Sequence, residues 1–332
     1  MNLQDRDKLN RLEETVSRNY RVTRLYAQYL ERFPDIITRE MIDTLCGEGE
    51  MSREEALLGI LSELFVLDYG VTEDRIIIRD YLTPSVRLLD AERYRQNPYY
   101  KNIKLTDVKD GAWELRWERY PAYRGVIAGD MALCDNLVEV PPLGFFTEDF
   151  DFPAVLENGN EWMTLTPVDL DTCEEAIDAA RGRVITFGLG LGYYAYMVSE
   201  KPEVESITVV ERSADVIRLF KTHILPQFSN AHKVRIVEAD AFEYAEHSMP
   251  SEKYDLAFVD TWRDASDGAP MYLRMKPLEK LNTGCRFMYW IENFLISRVR
   301  AVRLGEMLDK LDDGAADAPR DYNTIINRLT NI

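Results

Sequence analysis

The stretch VITFGLGLGYYAYM, residues 184–197, decides the fold of this chain. Its first four residues favour a buried strand, and glycines follow at positions 188, 190 and 192, ahead of an aromatic run. A tight turn that needs positive φ would account for one or two of these glycines. Three at alternate positions suggest that a ligand lies against the backbone and reaches the N-terminus of the next helix. A dinucleotide site would place the third glycine at 193, where the chain has Tyr193, so the spacing argues against NAD and FAD.

The second half of the chain alternates strand-like and helical segments. A helix is predicted to begin near Thr166, which is followed by a proline at the first helical position and an acid in the first turn. Five strand-like runs come after it, each ahead of a helical one: RVITF, SITVVE, KVRIVEAD, YDLAFVD and CRFMYWIE. Because parallel neighbours need crossover connections, this alternation predicts a parallel sheet with helices on both faces. Ligands of such sheets bind at the carboxyl ends of the strands, near the point where strand order reverses.

Two acidic residues stand where the second and third of these strands end. Glu211 comes 19 residues after Gly192, at a place where a carboxylate can accept hydrogen bonds from both hydroxyls of a ribose. Asp240 ends the third strand, where it could accept a hydrogen bond from an adenine amino group. Each acid alone is more often a surface residue or a helix cap. Together with the glycine turn, they predict a nucleoside site.

Residues 181 to about 295 resemble the class I S-adenosylmethionine-dependent methyltransferases, and more narrowly their spermidine-synthase-like branch. The matching motifs are VITFGLGLG for the glycine-rich turn, VVERS for the ribose-binding strand end, EADAFEY for the adenine-binding loop and YDLAFVDTWRD for the fourth strand with its catalytic acid. The resemblance implies a Rossmann-like, doubly wound, mainly parallel sheet that binds S-adenosylmethionine, or S-adenosylhomocysteine as product. The cofactor-binding residues that it implies are Gly188, Leu189, Gly190, Gly192, Glu211, Arg212, Asp240 and Ala241.

Two features depart from that branch. Spermidine synthases carry a Tyr-His-Glu element upstream of the glycine turn, whereas the stretch DTCEEAI keeps an acid at Glu175 but has neither the tyrosine nor the histidine. The family sheet also has a sixth and a seventh strand, whereas the residues that follow CRFMYWIE look helical. We therefore expect a sheet that is shortened after its fifth strand or completed by the preceding domain.

The segment VDTWRDASDG, at the end of the fourth strand, is expected to face the reacting atoms. Asp260 is the predicted catalytic residue, which receives a proton or orients an attacking amine, and a helix cap is the alternative explanation for it. Contacts with the acceptor substrate are predicted for Trp262, Asp264, Tyr193 and Tyr194. The three histidines show no metal-ligand spacing, so no metal is expected.

Three functions remain open at this point. The first is a methyltransferase that acts on an unidentified small-molecule or protein acceptor. The second is a spermidine-synthase-like aminopropyltransferase, which would use the decarboxylated cofactor. The third is a non-catalytic nucleoside-binding protein with a protein partner, because a fold does not fix a function.

Composition sets the broad class of the protein. The 332 residues carry a formal net charge of -18, which disfavours nucleic acid as a partner and suits a cationic or neutral substrate. No apolar run approaches the roughly 20 residues of a membrane span, and a cytoplasmic location without membrane contact is expected. The sequence predicts a helical region over 1–102, a small β-rich region over 103–165 that would lie on the substrate side, and the cofactor domain over 166–332. It does not predict the oligomeric state.

Overall fold

The computed structural model describes residues 2–47, 49, 51–315 and 317–332. Its α-helices, in chain order, are α1 (Leu3–Arg32), α2 (Arg39–Cys46), α3 (Arg53–Leu64), α4 (Thr72–Ile77), α5 (Thr83–Ser85), α6 (Ala91–Arg95), α7 (Pro98–Asn102), α8 (Pro167–Ala179), α9 (Tyr193–Ser199), α10 (Ala214–Leu219), α11 (Ala241–Glu243), α12 (Ala265–Met275), α13 (Glu292–Asp312) and α14 (Tyr322–Thr330).

The strands form four separate sheets. In chain order they are β1 (Val86–Leu89), β2 (Val108–Asp110), β3 (Trp113–Tyr120), β4 (Gly125–Ile127), β5 (Ala132–Leu133), β6 (Glu139–Val140), β7 (Leu143–Phe146), β8 (Phe150–Glu157), β9 (Asn160–Thr164), β10 (Gly182–Phe187), β11 (Val204–Glu211), β12 (Val234–Glu238), β13 (Leu256–Val259) and β14 (Arg286–Tyr289).

The chain folds into two compact units, and each unit combines segments that are distant in sequence. The first unit comprises Met1–Leu89, Pro121–Glu148 and Asn293–Ile332, and the second comprises Asp90–Tyr120 and Asp149–Glu292. The boundaries expected from the sequence, after residues 102 and 165, both fall inside the second unit. The last two helices therefore belong with the N-terminal helices and not with the parallel sheet.

The first unit is mainly helical, as the apolar periodicity of its early residues predicts. Helix α1 begins where the Asn2 side chain accepts a hydrogen bond from the backbone N–H of Asp5, and it ends at Arg32, ahead of Pro34. A capping box of Ser52 and Glu55 starts α3. Helices α1, α13 and α14 share one apolar core, formed by Leu9, Leu12, Leu304, Met307, Ile325 and Leu329.

The strands between residues 103 and 165 do not form one sheet. A hairpin turns at Asp110 and Gly111, and it belongs to an antiparallel sheet of order β2-β3-β8-β9 in the second unit. By contrast, β7 pairs with β1 on one side and β4 on the other in the first unit, where β5 and β6 form a two-stranded ribbon. Short strands of similar composition give no local signal of which partner they will find.

The parallel sheet predicted from the second half of the chain is confirmed. All five predicted strands are present, and they lie in the order β12-β11-β10-β13-β14 with every neighbouring pair parallel. Strand order reverses at β10, which lies between β11 and β13. This arrangement is compatible with a Rossmann-like fold. Within the described residues the sheet has no sixth or seventh strand, and helices α13 and α14 follow β14.

Helix α8 precedes the sheet and begins as the sequence predicts. Thr166 and Asp169 form a capping box, and Pro167 occupies the first helical position. Asp169 and the glycine turn line the same cavity. The start of α8 therefore lies at the same end of the sheet as the glycine turn.

Candidate functional site

A cavity of about 420 Å³ lies at the carboxyl ends of the parallel strands, where a nucleoside site is predicted. The loops after β10, β11, β12 and β13 all contribute to its lining. It gathers most of the residues that the sequence assigns to the cofactor, namely Gly188, Leu189, Gly190, Glu211, Arg212, Asp240 and Ala241. It also gathers Asp260 and Trp262, from the segment that follows the fourth strand.

The packing of the protein itself leaves no room for a side chain at Gly188 of the glycine turn. Gly188 has φ +99°, and a Cβ placed there would lie 1.9 Å from the backbone oxygen of Asp260. Gly190 has φ +48°, and a Cβ there would lie 1.7 Å from the sulfur of Met163. Both values are far shorter than a van der Waals contact, but Gly188 meets backbone, whereas Gly190 meets the far end of a flexible side chain. The predicted approach of a ligand to the turn stays a prediction. Gly192 caps α9 and is not part of the cavity lining.

Glu211 links the end of β11 to the glycine turn. Its Oε2 accepts a hydrogen bond from the backbone N–H of Leu189 at 3.2 Å, and its Oε1 accepts one from the N–H of Ser213 at 2.7 Å. Each carboxylate oxygen has a second lone pair that can accept another donor. Glu211 therefore has a structural role and also keeps acceptor capacity toward the cavity.

Asp240 is the N-cap of the short helix α11. Its Oδ1 accepts hydrogen bonds from the backbone N–H groups of Phe242 and Glu243 at 2.9 and 3.1 Å. The residue is exposed and lines the cavity. The helix-cap explanation thus applies to Asp240, and its second oxygen stays available for a ligand donor.

Asp260 is held at the junction of β10 and β13. Its backbone N–H donates to the carbonyl of Phe187 at 2.9 Å. Among the residues that the structure describes, none donates a hydrogen bond to its carboxyl, and the cap of the following helix is Asp264 instead. The helix-cap explanation for Asp260 is therefore wrong.

The surroundings of Asp260 favour its protonated form. Burial raises the pKa of the Asp260 carboxyl well above its ordinary value, and the nearby charges of Asp169 and Glu211 add to the increase. Asp260 is half-buried and lines the cavity. Its carboxyl is surrounded closely enough by protein atoms for burial to be the main cause of the raised pKa. A carboxyl perturbed in this way, in a cleft, is typical of functional sites.

Of the four residues predicted to contact the acceptor, only Trp262 lines the main cavity. Trp262 lines the cavity and stacks on Tyr289, with ring centroids 6.4 Å apart. Asp264 lies outside the cavity lining and accepts a hydrogen bond from the backbone N–H of Ser266 at 2.6 Å. Tyr193 and Tyr194 are buried side chains of α9 that line only a second, smaller recess.

Two buried polar atoms beside the cavity lack a hydrogen-bond partner among the described residues. They are Nε1 of Trp262 and Oγ1 of Thr261, both in the segment after β13. Because an unpaired buried polar group costs about 1–3 kcal/mol, such atoms call for an explanation. Their position on the lining of the cavity is compatible with a site built for a ligand or a bound water.

Asp169 is a site residue that the sequence motifs do not indicate. The one acid of helix α8 that the family resemblance singles out is Glu175, which is exposed and forms an ion pair with Arg286 at 2.8 Å. Asp169 lines the cavity, and burial raises the pKa of its carboxyl to about 6. The capping pattern of Thr166 and Asp169 was a visible signal, but it predicts a helix start and gives no information about a cavity.

The sequence also missed the contribution of β9. Glu161, Trp162, Met163 and Thr164 line the cavity, and the guanidinium of Arg263 lies over the Trp162 ring at 5.2 Å. No local pattern could have indicated this wall, since it depends on how the antiparallel sheet packs within the unit.

The lining of the cavity is predominantly acidic. Its ionisable side chains are six carboxyls and two guanidiniums, from Glu161, Asp169, Glu211, Asp240, Asp260 and Asp267 and from Arg212 and Arg263.

A cluster of three or more His, Cys, Asp or Glu side chains with the geometry of a metal site does not occur within the described part of the chain. Within that same part, none of the helices combines the length and hydrophobicity that crossing a membrane requires.

Comparison with known proteins does not assign this chain to a family. No family model matches the chain, and no curated protein matches it. A solved structure described as precorrin 8w decarboxylase of Methanobacterium thermoautotrophicum is similar over 38% of this chain and 63% of that one, with 16% identity and a TM-score of 0.29. The chain thus spans less than two thirds of that structure. The protein is an α/β protein with a five-stranded parallel sheet, and a likeness at this level assigns it neither an activity nor a ligand.

Proposed function

We propose that this protein is an S-adenosylmethionine-dependent methyltransferase of the class I type, whose cofactor site is the cavity at the carboxyl ends of the parallel strands. One observation carries the proposal: the glycine turn, Glu211, Asp240 and Asp260 follow four different strands and all line that single cavity. The reversal of strand order at β10 supports it, since ligands of open α/β sheets bind at such a point.

The residues that line the cavity suit a nucleoside. Glu211 retains lone pairs for the two ribose hydroxyls, and Asp240 retains one carboxylate oxygen for an adenine amino group. The unpartnered Nε1 of Trp262 supplies a donor beside them. The side chain of Met163, which lies against Gly190, is flexible and can change rotamer to let a ligand approach the turn.

The chemistry assigned to the chain is limited to orientation and proton handling. When bound, the cofactor supplies a sulfonium methyl group. Asp260 orients the nucleophile of the acceptor and, in its ionised form, accepts the proton that this group loses. Because its pKa is raised, the Asp260 carboxylate is a stronger base than that of an ordinary aspartate. Trp262 forms an aromatic wall that can contact a cation through its ring face.

The acidity of the cavity favours a cationic or neutral acceptor, either a small molecule or a protein side chain. An anionic acceptor would meet an excess of carboxyl groups in the lining. This argument gives the sign of the substrate's charge and leaves its identity open.

Aminopropyl transfer from the decarboxylated cofactor is a second candidate with an observation in its favour. The smaller recess behind the glycine turn is lined by Asp169 and Asp260 and by no Lys, Arg or His side chain. Both aspartates also line the main cavity, where a cofactor whose α-carboxylate lies beside them would add a third acidic group. The decarboxylated cofactor ends in an ammonium group and avoids this repulsion.

Calorimetric titration separates these candidates. S-adenosylmethionine, its decarboxylated form and S-adenosylhomocysteine are titrated into the full chain. A methyltransferase binds the first at least about tenfold more tightly than the second, a difference of about 1.4 kcal/mol, and an aminopropyltransferase shows the reverse. Formation of S-adenosylhomocysteine in cell extract, measured by mass spectrometry, distinguishes an enzyme from a nucleoside-binding protein. The proposal is wrong if none of the three nucleosides binds.

A further inference from the structure

A small recess lies behind the main cavity and brings two carboxyl groups together. Its volume is about 20 Å³, and Asp169 and Asp260 line both this recess and the main cavity. The space suffices for about one water molecule, which needs roughly 10–15 Å³. The two side chains come from distant parts of the chain, α8 and the end of β13, so that only the fold places them together.

The two carboxyls differ in hydrogen bonding, since Asp169 accepts hydrogen bonds and Asp260 accepts none from the described residues. Oδ2 of Asp169 accepts hydrogen bonds from the backbone N–H and the hydroxyl of Thr166, at 2.8 and 2.9 Å. No described residue donates a hydrogen bond to the carboxyl of Asp260, and the remaining lining of the recess is apolar or neutral.

Other ionisable groups surround the pair, but no cation lines the recess. Within it, Cys173 comes from α8, and Tyr193 and Tyr194 come from α9. The hydroxyl of Tyr100, on α7, is also affected by the charge of Asp169. The main cavity adds the ionisable side chains of Glu161, Glu211, Asp240, Asp267, Arg212 and Arg263.

We propose that Asp169 and Asp260 act as one carboxyl pair that holds a single proton, and that Asp169 is the positioning residue that sets the charge Asp260 presents to a ligand. The physical reason is that two neighbouring carboxylates in one poorly solvated site repel each other, so ionisation of the second carboxyl costs more free energy than ionisation of the first. The two protons therefore leave in two separate titration steps. The pKa values of both carboxyls are raised, which is the direction that a shared proton requires. The pair is a property of the free protein, and only its effect on a ligand rests on the proposed function.

The pair is tested without any ligand by carbon-13 NMR titration of aspartate carboxyls in the full-length protein, from roughly pH 5 to pH 9. The Asp260 resonance is assigned from its loss in Asp260→Asn. In Asp169→Asn, we expect the Asp260 midpoint to fall by on the order of one pH unit, because the neighbouring negative charge has been removed. Asparagine can still accept the capping hydrogen bonds of Thr166, so the helix start is retained.

Asp267→Asn is the matched control. Asp267 occupies the same third position of a capping box, in α12, and lines the main cavity, but it lies outside the recess and does not contribute to the shift at Asp260. The Asp260 midpoint should stay at the wild-type value in this variant. An unchanged or raised midpoint in Asp169→Asn, or an equal fall in both variants, would overturn the proposal.

A second measurement connects the pair to the ligand. Calorimetry in buffers of different ionisation enthalpy counts the protons released when S-adenosylmethionine binds, with S-adenosylhomocysteine, which lacks the sulfonium charge, as comparison. The positive sulfonium of S-adenosylmethionine stabilises carboxylates, so we expect its binding to release protons. In Asp169→Asn, the pH range in which this release occurs should move to lower pH. If neither nucleoside binds, the proposed function fails, while the NMR titration still decides whether the pair exists.

Discussion

At the scale of single residues, the acids at this site combine structural and ligand-facing roles. Glu211 holds the glycine turn against the end of β11, and Asp240 caps α11, yet both line the main cavity. A substitution at either position therefore changes local structure as well as ligand binding. Variants have to be compared with neighbours that carry the same charge but lie outside the cavity.

Replacement of Glu211 by alanine is expected to weaken S-adenosylhomocysteine binding by roughly ten- to a hundredfold, because hydrogen bonds to a charged group contribute about 1.5–3 kcal/mol. Asp240→Ala should cost less, since one amino contact is lost instead of a pair. Glu238 is the register partner of Glu211 on β12 and does not line the cavity, so Glu238→Ala is the control. A calorimetric titration that finds Asp240→Ala the more damaging change would reverse the ribose and adenine assignments.

Asp260→Asn tests the proton-accepting role. Asparagine keeps the shape of the side chain but cannot take up a proton, so turnover should fall by roughly 10²–10⁴-fold while affinity for the nucleoside stays nearly unchanged. Turnover is followed as S-adenosylhomocysteine formed in cell extract, and affinity is measured by calorimetry. Full activity in this variant would remove Asp260 from the chemistry and favour a binding protein.

At the scale of secondary-structure elements, helix starts supply two of the carboxyls of the site. The capping boxes of α8 and α12 each place an aspartate at their third position, Asp169 and Asp267, and both aspartates line the main cavity. For α12 this follows from the topology, because a helix that succeeds a parallel strand begins at the carboxyl edge of the sheet, whereas α8 follows the antiparallel strand β9 and its start reaches the cavity through packing. The acidity of the cavity is thus partly a consequence of how its helices are capped.

Asp264 provides a test of capping against substrate contact. Its side chain caps α12, so Asp264→Ala should lower the free energy of unfolding by about 1 kcal/mol, whereas Asp264→Asn should be nearly neutral. Neither change should alter nucleoside affinity. Urea unfolding followed by circular dichroism gives the first quantity and calorimetry the second. A large loss of affinity or turnover in Asp264→Asn, with stability intact, would support the substrate contact predicted from the sequence.

The elements differ in how far the sequence could predict them. The five parallel strands, the glycine turn and the start of α8 follow from local patterns of apolar residues, glycines and caps, and all are present. The arrival of Asp169 and Met163 at the cavity depends on long-range packing, which no local pattern encodes. For the same reason the pairing of β7 with β1 and β4 could not be predicted from the composition of these strands.

At the scale of the whole molecule, the end of the chain is tied into the first unit by a buried ion pair. Arg300 of α13 and Glu139 of β6 form a salt bridge, and both side chains are buried. Glu139 also accepts a hydrogen bond from Ser297, and Arg300 donates one to the carbonyl of Leu329 at 3.2 Å. This network joins three segments that are distant in sequence.

Glu139→Ala is expected to lower the free energy of unfolding by about 3–5 kcal/mol, because it leaves a buried guanidinium without its counter-charge. The exposed pair of Arg124 and Asp35, in the same unit, serves for comparison, and Asp35→Asn should leave the urea midpoint unchanged. Equal effects of the two substitutions would mean that the buried pair is no more important than a surface one. Nucleoside affinity is measured alongside as a check on the second unit.

The interleaved order of the two units also sets the sequence of events during synthesis. The second unit is complete once Glu292 has been made, whereas α1 has to wait for α13 and α14 before the core around Leu9 and Leu12 can close. At about 5–20 residues per second, the 290 residues from Arg32 to Tyr322 take roughly 15 to 60 s to translate. During that interval Leu9 and Leu12 have neither α13 nor α14 to pack against. Val22, Tyr26 and Tyr29, on the same helix, pack in a core whose other members end at Phe145, so the two ends of α1 find their partners at different times.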